Sequence, residues 1–168
     1  LYDGVLNVFD AAYTNGQDMM DAVKLGNTNE NLSIRKSDKY YAIESRSGIS
    51  ENDTIQFRLG QIRVTNYRYE FIPQRLTSYN VQAFLEDSYL NTRVPVSMTD
   101  TTRVDFSISN IPGSYNPDRF RIVFSSLRPL PVTISTLTAN RNKDASVNLS
   151  WRSYNEIAIR TYQIESSV

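Results

Sequence analysis

Cysteine and histidine are both missing from this chain of 168 residues. The first absence removes disulfides, thiolate metal sites and cysteine nucleophiles. The second removes the usual general base and the commonest transition-metal ligand. Catalysis would therefore have to rest on carboxylates, tyrosine, lysine or serine. A chain without cysteine is not a disulfide-stapled eukaryotic secreted domain, yet it suits the cytosol or the outside of a bacterium equally. No apolar run reaches the roughly 18 residues of a membrane-spanning helix, so membrane insertion is not expected. The 18 basic and 18 acidic residues cancel. Neither part of the chain carries the basic excess of a nucleic-acid footprint. The opening residues hold no secretory leader, and the start is so abrupt that the chain reads as excised from a longer one.

What is present is enough to build a core: 40% of the residues are hydrophobic and 11% aromatic, which argues against disorder. The stretch Leu127-Arg128-Pro129-Leu130-Pro131-Val132 organises the rest. Two prolines one residue apart fix φ twice and remove two backbone donors, so neither a helix nor a central strand can run through them. The expected organisation is residues 1–127 as one module, 128–132 as a stiff joint, and 133–168 as the start of a second.

Before the joint, most signals have a period of two residues. Residues 1–9 alternate loosely and predict a first strand. Asp18 as N-cap and Gly26 as stop predict one or two helical turns over 18–25, the only helix expected. Leu32-Ser33-Ile34-Arg35 and Tyr41-Ala42-Ile43-Glu44 flank a polar turn at Ser37-Asp38 and predict a hairpin. Ile55, Phe57 and Leu59 alternate with polar residues. Ile62 and Val64, then Tyr67, Tyr69 and Phe71, predict a strand with a bulge near Thr65-Asn66. Val81 to Leu85 is shorter, and Pro95 demotes residues 91–98 to an edge. Val104, Phe106 and Ile108 alternate, a long turn holds Pro112-Gly113 and Asn116-Pro117, and Phe120, Ile122 and Phe124 close the module. About nine short strands predict an all-β, antiparallel, jelly-roll-like β-sandwich. Beyond the joint, residues 132–138, 147–151 and 159–165 predict three strands of an incomplete immunoglobulin- or fibronectin-like sandwich, with Trp151 in its core.

Chemistry-bearing residues are few. Asp18, Asp21, Asn27, Asn29 and Glu30 offer hard oxygen ligands of the kind calcium takes, without EF-hand spacing. The same residues also suit a capped turn and a polar loop. There are 11 tyrosines, and an aromatic face with a polar tip can stack on sugars. Tyr67 and Tyr69 share one strand face, either as an exposed platform or as core. Tyr13, Tyr79, Tyr89 and Tyr115 fall in expected loops. Carboxylate catalysis needs two acids facing across a cleft. Glu86 and Asp87 are adjacent and so point to opposite faces, while Glu44 and Glu70 stand alone. No catalytic constellation is visible, and no enzyme is expected.

Several residues carry a resemblance. Val147-x-Leu149-x-Trp151, Glu156 and Tyr162-Gln163-Ile164-Glu165-Ser166-Ser167, with Pro131-Val132 at the opening, resemble the fibronectin-like module that precedes the sorting signal of type IX-secreted Bacteroidota proteins. Ala158 and Ser166 depart from the usual Asn and Arg of that pattern. Asp21-Ala22-x-Lys24-Leu25, Asn29-Glu30, Tyr41-x-Ile43, Asp53-Thr54-Ile55, Leu85-Glu86-Asp87 and Arg119-Phe120-x-Ile122-x-Phe124 resemble the jelly-roll-like module ahead of it. The resemblance implies an extracellular or outer-surface bacterial location. It also implies a non-catalytic structural or adhesion role, or a carbohydrate-binding module attached to a polysaccharide-degrading enzyme. The implied partners are the other domains of a long polypeptide and the secretion and surface-attachment machinery.

Overall fold

The computed structural model describes residues 3–127, 133–154 and 161–165. The chain divides into two compact units, Leu1–Leu127 and Arg128–Val168. The proline joint at 128–132 lies outside the described residues. The fold is all-β, with no helix among the described residues.

The first unit holds β1 (Leu6–Phe9), β2 (Ala22–Val23), β3 (Asn31–Lys36), β4 (Lys39–Arg46), β5 (Thr54–Gly60), β6 (Asn66–Phe71), β7 (Val81–Asp87), β8 (Thr92–Val96), β9 (Thr102–Ser107) and β10 (Phe120–Ser126). Eight of these form one sheet in the order β1-β4-β3-β5-β10-β7-β8, with β2 added to β4, while β6 and β9 form a second sheet. β1 runs parallel to β4, and the other pairs are antiparallel. The alternation in the sequence states the reason: Ile55, Phe57, Leu59, Leu85, Phe120, Ile122 and Phe124 fall on the inward face and are buried. Tyr69 and Phe106 come down from the second sheet and stack 4.9 Å apart. Both meet Phe120 edge-on, at 5.1 and 4.7 Å. Each such side chain contributes about 1.5–3 kcal/mol by leaving water.

The β3–β4 hairpin turns at Ser37, whose φ of 56° is left-handed. β8, with Pro95, pairs only with β7 and lies at an edge of the large sheet, where a missing donor costs least. Gly113 sits in the long turn because a Cβ there would come within 2.5 Å of the Tyr89 ring.

Three expectations are corrected. Residues 18–25 are not helical. Asp18 turns its carboxylate onto the Met20 N–H at 2.8 Å, Asp21 reaches the Ser45 N–H at 2.8 Å, and Ala22–Val23 joins β4 as a strand. Met19 is 99% exposed and Leu25 84%, so no apolar helical face exists to be buried. Ile62 and Val64 do not belong to a bulged strand. Gln61 takes a φ of 52°, the chain leaves the large sheet there, and β6 begins at Asn66 in the other sheet. The first strand starts at Leu6.

In the second unit, β11 (Thr133–Arg141) and β12 (Val147–Tyr154) form an antiparallel ribbon. Leu137 lies opposite Trp151 and Ala139 opposite Leu149, so one face is apolar. Trp151 was expected in a core but is 37% exposed, and it meets Tyr162 edge-on at 5.8 Å. Of the third strand expected over 159–165, residues 159–160 lie outside the described residues and 161–165 carry no strand pairing.

Candidate functional site

The largest of the fully buried side chains is Arg119, 2% exposed, on the turn that leads into β10. Its Nε and one terminal nitrogen donate to the two oxygens of Asp87 at 2.8 and 2.6 Å. The other terminal nitrogen donates to the carbonyls of Ser107 and Ser114, both at 3.0 Å. The guanidinium lies over the rings of Phe120 and Tyr89 at 4.6 and 4.9 Å. Asp87 also accepts the N–H groups of Tyr89 and Leu90. A bidentate, fully hydrogen-bonded pair of this kind has the geometry that buried charge requires. Its role is to lock the long turn onto β7. Sequence reasoning placed Asp87 in an adjacent acidic pair, and both Asp87 and Arg119 in motifs of the resemblance, but did not pair them with each other.

A second charged group gathers around Glu44, whose side chain is fully buried. Arg46 approaches it at 3.0 Å and Lys36 at 3.4 Å, and the Asn7 amide donates to it at 2.8 Å. Lys36 also lies 3.8 Å from Asp21 and donates to the Gly16 carbonyl at 2.8 Å. The ammonium therefore already stands between the buried carboxylates.

The five residues expected to gather around calcium are split between two places. Asp18 and Asp21 meet at the Ser45 hydroxyl, at 3.2 and 3.0 Å. Glu30 instead accepts Arg63 at 2.6 Å and the Tyr67 hydroxyl at 3.3 Å, and that guanidinium holds its carboxyl below the usual carboxylate range. Asn27 and Asn29 take part in a loop network in which the Asn31 amide donates to both of their carbonyls, at 3.2 and 2.6 Å. Among the described residues, no three acidic side chains form a metal-ligating group. The physical reason is local: Asp18 accepts the Met20 N–H, Asp21 the Ser45 N–H and Glu30 the Arg63 guanidinium.

The tyrosines expected to bind sugar are also redistributed. Tyr69 is 6% exposed and Tyr67 is half-buried, stacked on Phe106 at 5.5 Å. Their strand face is the inward one, so they form core rather than a platform. Burial pushes the Tyr69 hydroxyl well above its ordinary pKa. The outward face of β6 and β9 instead pairs Arg68 with Asp105 and Arg103 with Glu70, each at 2.6 Å. Tyr13, Tyr79 and Tyr89 are half-buried, and Tyr115 stays 46% exposed in the long turn.

The outward face of the large sheet carries a feature that single residues do not reveal. Tyr40 faces Arg35, Arg35 faces Gln56, Gln56 faces Arg121, Arg121 faces Glu86, and Glu86 faces Arg93. Residues directly opposite share a face, so these six make one row across β4, β3, β5, β10, β7 and β8. Arg121 donates to Glu86 at 2.7 Å, and Arg35 to Asp118 at 3.0 Å. Arg58 covers the Tyr40 ring at 4.7 Å and Arg93 the Phe84 ring at 4.0 Å. A groove of about 450 Å³ lies over the β5-to-β8 part of this row, lined by Gln56, Glu86, Arg93, Asp118 and Arg121 among others. Gln56 and Arg121 each read as polar between apolar neighbours, but the alignment of the six depends on cross-strand register. Comparison with protein families, with curated proteins and with solved structures returns no match.

Proposed function

We propose that this chain is a non-catalytic structural and adhesion module of a large secreted or cell-surface bacterial protein, exported by the type IX secretion system. Its partners in this reading are the other domains of the same polypeptide and the attachment machinery at the outer surface. The sequence patterns around Trp151 and around Asp87 and Arg119 support the placement. The observation that carries the non-catalytic role is how the buried charges are used. Asp87 and Glu44 are each tied to a buried or largely buried arginine, and Glu30 to the exposed Arg63, so these acids hold turns and strands together and are not free to transfer protons. A second reading is a carbohydrate-binding module attached to a secreted polysaccharide-degrading enzyme, and the polar row on the large sheet favours it.

The test is direct. The whole chain, incubated with chromogenic glycosides, esters and peptides, is expected to release no product above buffer. Beads coated with it are expected to be retained on bacterial or polysaccharide-coated surfaces. Turnover that disappears in Glu86→Gln or Asp118→Asn would overturn the proposal.

A further inference from the structure

The row on the large sheet has an excess of one sign and a regular spacing. Among the described residues, Arg35, Arg58, Arg93 and Arg121 pair only with Glu86 and Asp118 there, which leaves two positive charges of the row unbalanced. All four guanidinium side chains keep between 35% and 53% of their surface in water. Arg35, Arg121 and Arg93 occupy every second strand of the row. Two strand spacings are about 9.5 Å.

We infer that this face binds an extended anionic polysaccharide, a polyuronate, laid across the strands along the row from Tyr40 to Arg93. The inference rests on the second reading above, that the first unit binds carbohydrate, and it names the chemical class of the ligand. A planar, always-charged guanidinium matches a carboxylate through two parallel hydrogen bonds. An extended glycan advances by roughly one strand spacing per sugar ring, so alternate sugars meet alternate arginines. Arg58 on Tyr40 and Arg93 on Phe84 are already held against rings, which lowers the entropy lost on binding. The polymer's carboxylates replace Glu86 and Asp118 as partners of guanidiniums that are otherwise only partly satisfied. The row has its exposed aromatic at one end, Tyr40, rather than the succession of stacking platforms that single-stranded nucleic acid uses.

The experiment is affinity electrophoresis of the whole chain through gels containing polygalacturonate, a neutral β-glucan, or single-stranded DNA. Polygalacturonate is expected to retard the protein, and the other two are not. Arg121→Gln and Arg93→Gln are each expected to weaken the retardation about tenfold, the effect of losing one charge-assisted hydrogen bond. Arg68→Gln, on the outward face of the other sheet, is expected to leave it unchanged, and thermal melts confirm that each variant folds. Equal retardation by DNA, or an equal loss in Arg68→Gln, would reduce the effect to net charge and overturn the inference. Retardation by the β-glucan alone would overturn it while upholding carbohydrate binding. No retardation by either polysaccharide would overturn both.

Discussion

Asp87→Asn is the most informative single substitution. It keeps the volume of the side chain but removes the charge that neutralises Arg119, which is only 2% exposed. The new amide can supply one oxygen to the Tyr89 and Leu90 N–H groups. Its nitrogen then points at a guanidinium nitrogen that was 2.6 Å from a carboxylate oxygen. Removing one member of a buried pair costs about 3–5 kcal/mol, because the surviving charge cannot return to water. A domain of ordinary stability has roughly 5–15 kcal/mol in total. At about 4 °C per kcal/mol for a unit of this size, the melting temperature should fall by roughly 12–20 °C. Circular dichroism melts of the whole chain read this directly. Glu70→Gln is the control, since its partner Arg103 is 60% exposed and a surface pair contributes about 0.2–1 kcal/mol. Arg119→Met combined with Asp87→Leu should recover part of the loss, since no charge is then stranded. A melt of Asp87→Asn within experimental error of wild type, or one that falls no further than Glu70→Gln, would refute the assignment of this pair as the lock on the long turn.

Two further outcomes follow from burial and from charge. Tyr69 is buried with its hydroxyl unpartnered, so Tyr69→Phe is expected to leave stability unchanged or raise it by about 1–2 kcal/mol. A clear drop in its urea midpoint would reveal a partner for that hydroxyl. Asp3 feels burial, which raises its pKa, but the Lys24 ammonium and the Leu32 and Gly4 N–H groups outweigh this and hold it below the ordinary range. A carboxyl depressed on folding stabilises above its unfolded pKa of about 4 and loses that contribution as pH falls through the folded value. Urea midpoints should therefore fall between pH 5 and pH 2.5 by a larger amount in wild type than in Asp3→Asn. Equal falls in the two proteins would remove Asp3 from the acid response.

Much of this protein was determined by its sequence alone, because alternation with a period of two is a local property. Ile55-x-Phe57-x-Leu59, Phe120-x-Ile122-x-Phe124 and the Ser37-Asp38 turn specify strands, inward faces and a hairpin without reference to distant residues. Pro95 marks an edge strand for the same reason, since its missing donor belongs to it alone. Tertiary structure decided everything that depends on a neighbour far away in the chain. Residues 18–25 have helix-like punctuation, yet Ser45 and the open edge of β4 offered Asp21 and Ala22–Val23 better partners than a helix would. Tyr69 could have faced water or core, and the packing of β6 over Phe57 and Phe120 settled it. Five oxygen-bearing side chains close in sequence were separated because Lys36 from β3 and Arg63 from the loop after β5 satisfied Asp21 and Glu30 individually. The row from Tyr40 to Arg93 exists only in the register of six strands. Register is fixed by which apolar faces must meet in the core, so a surface line of charge emerges from the packing beneath it.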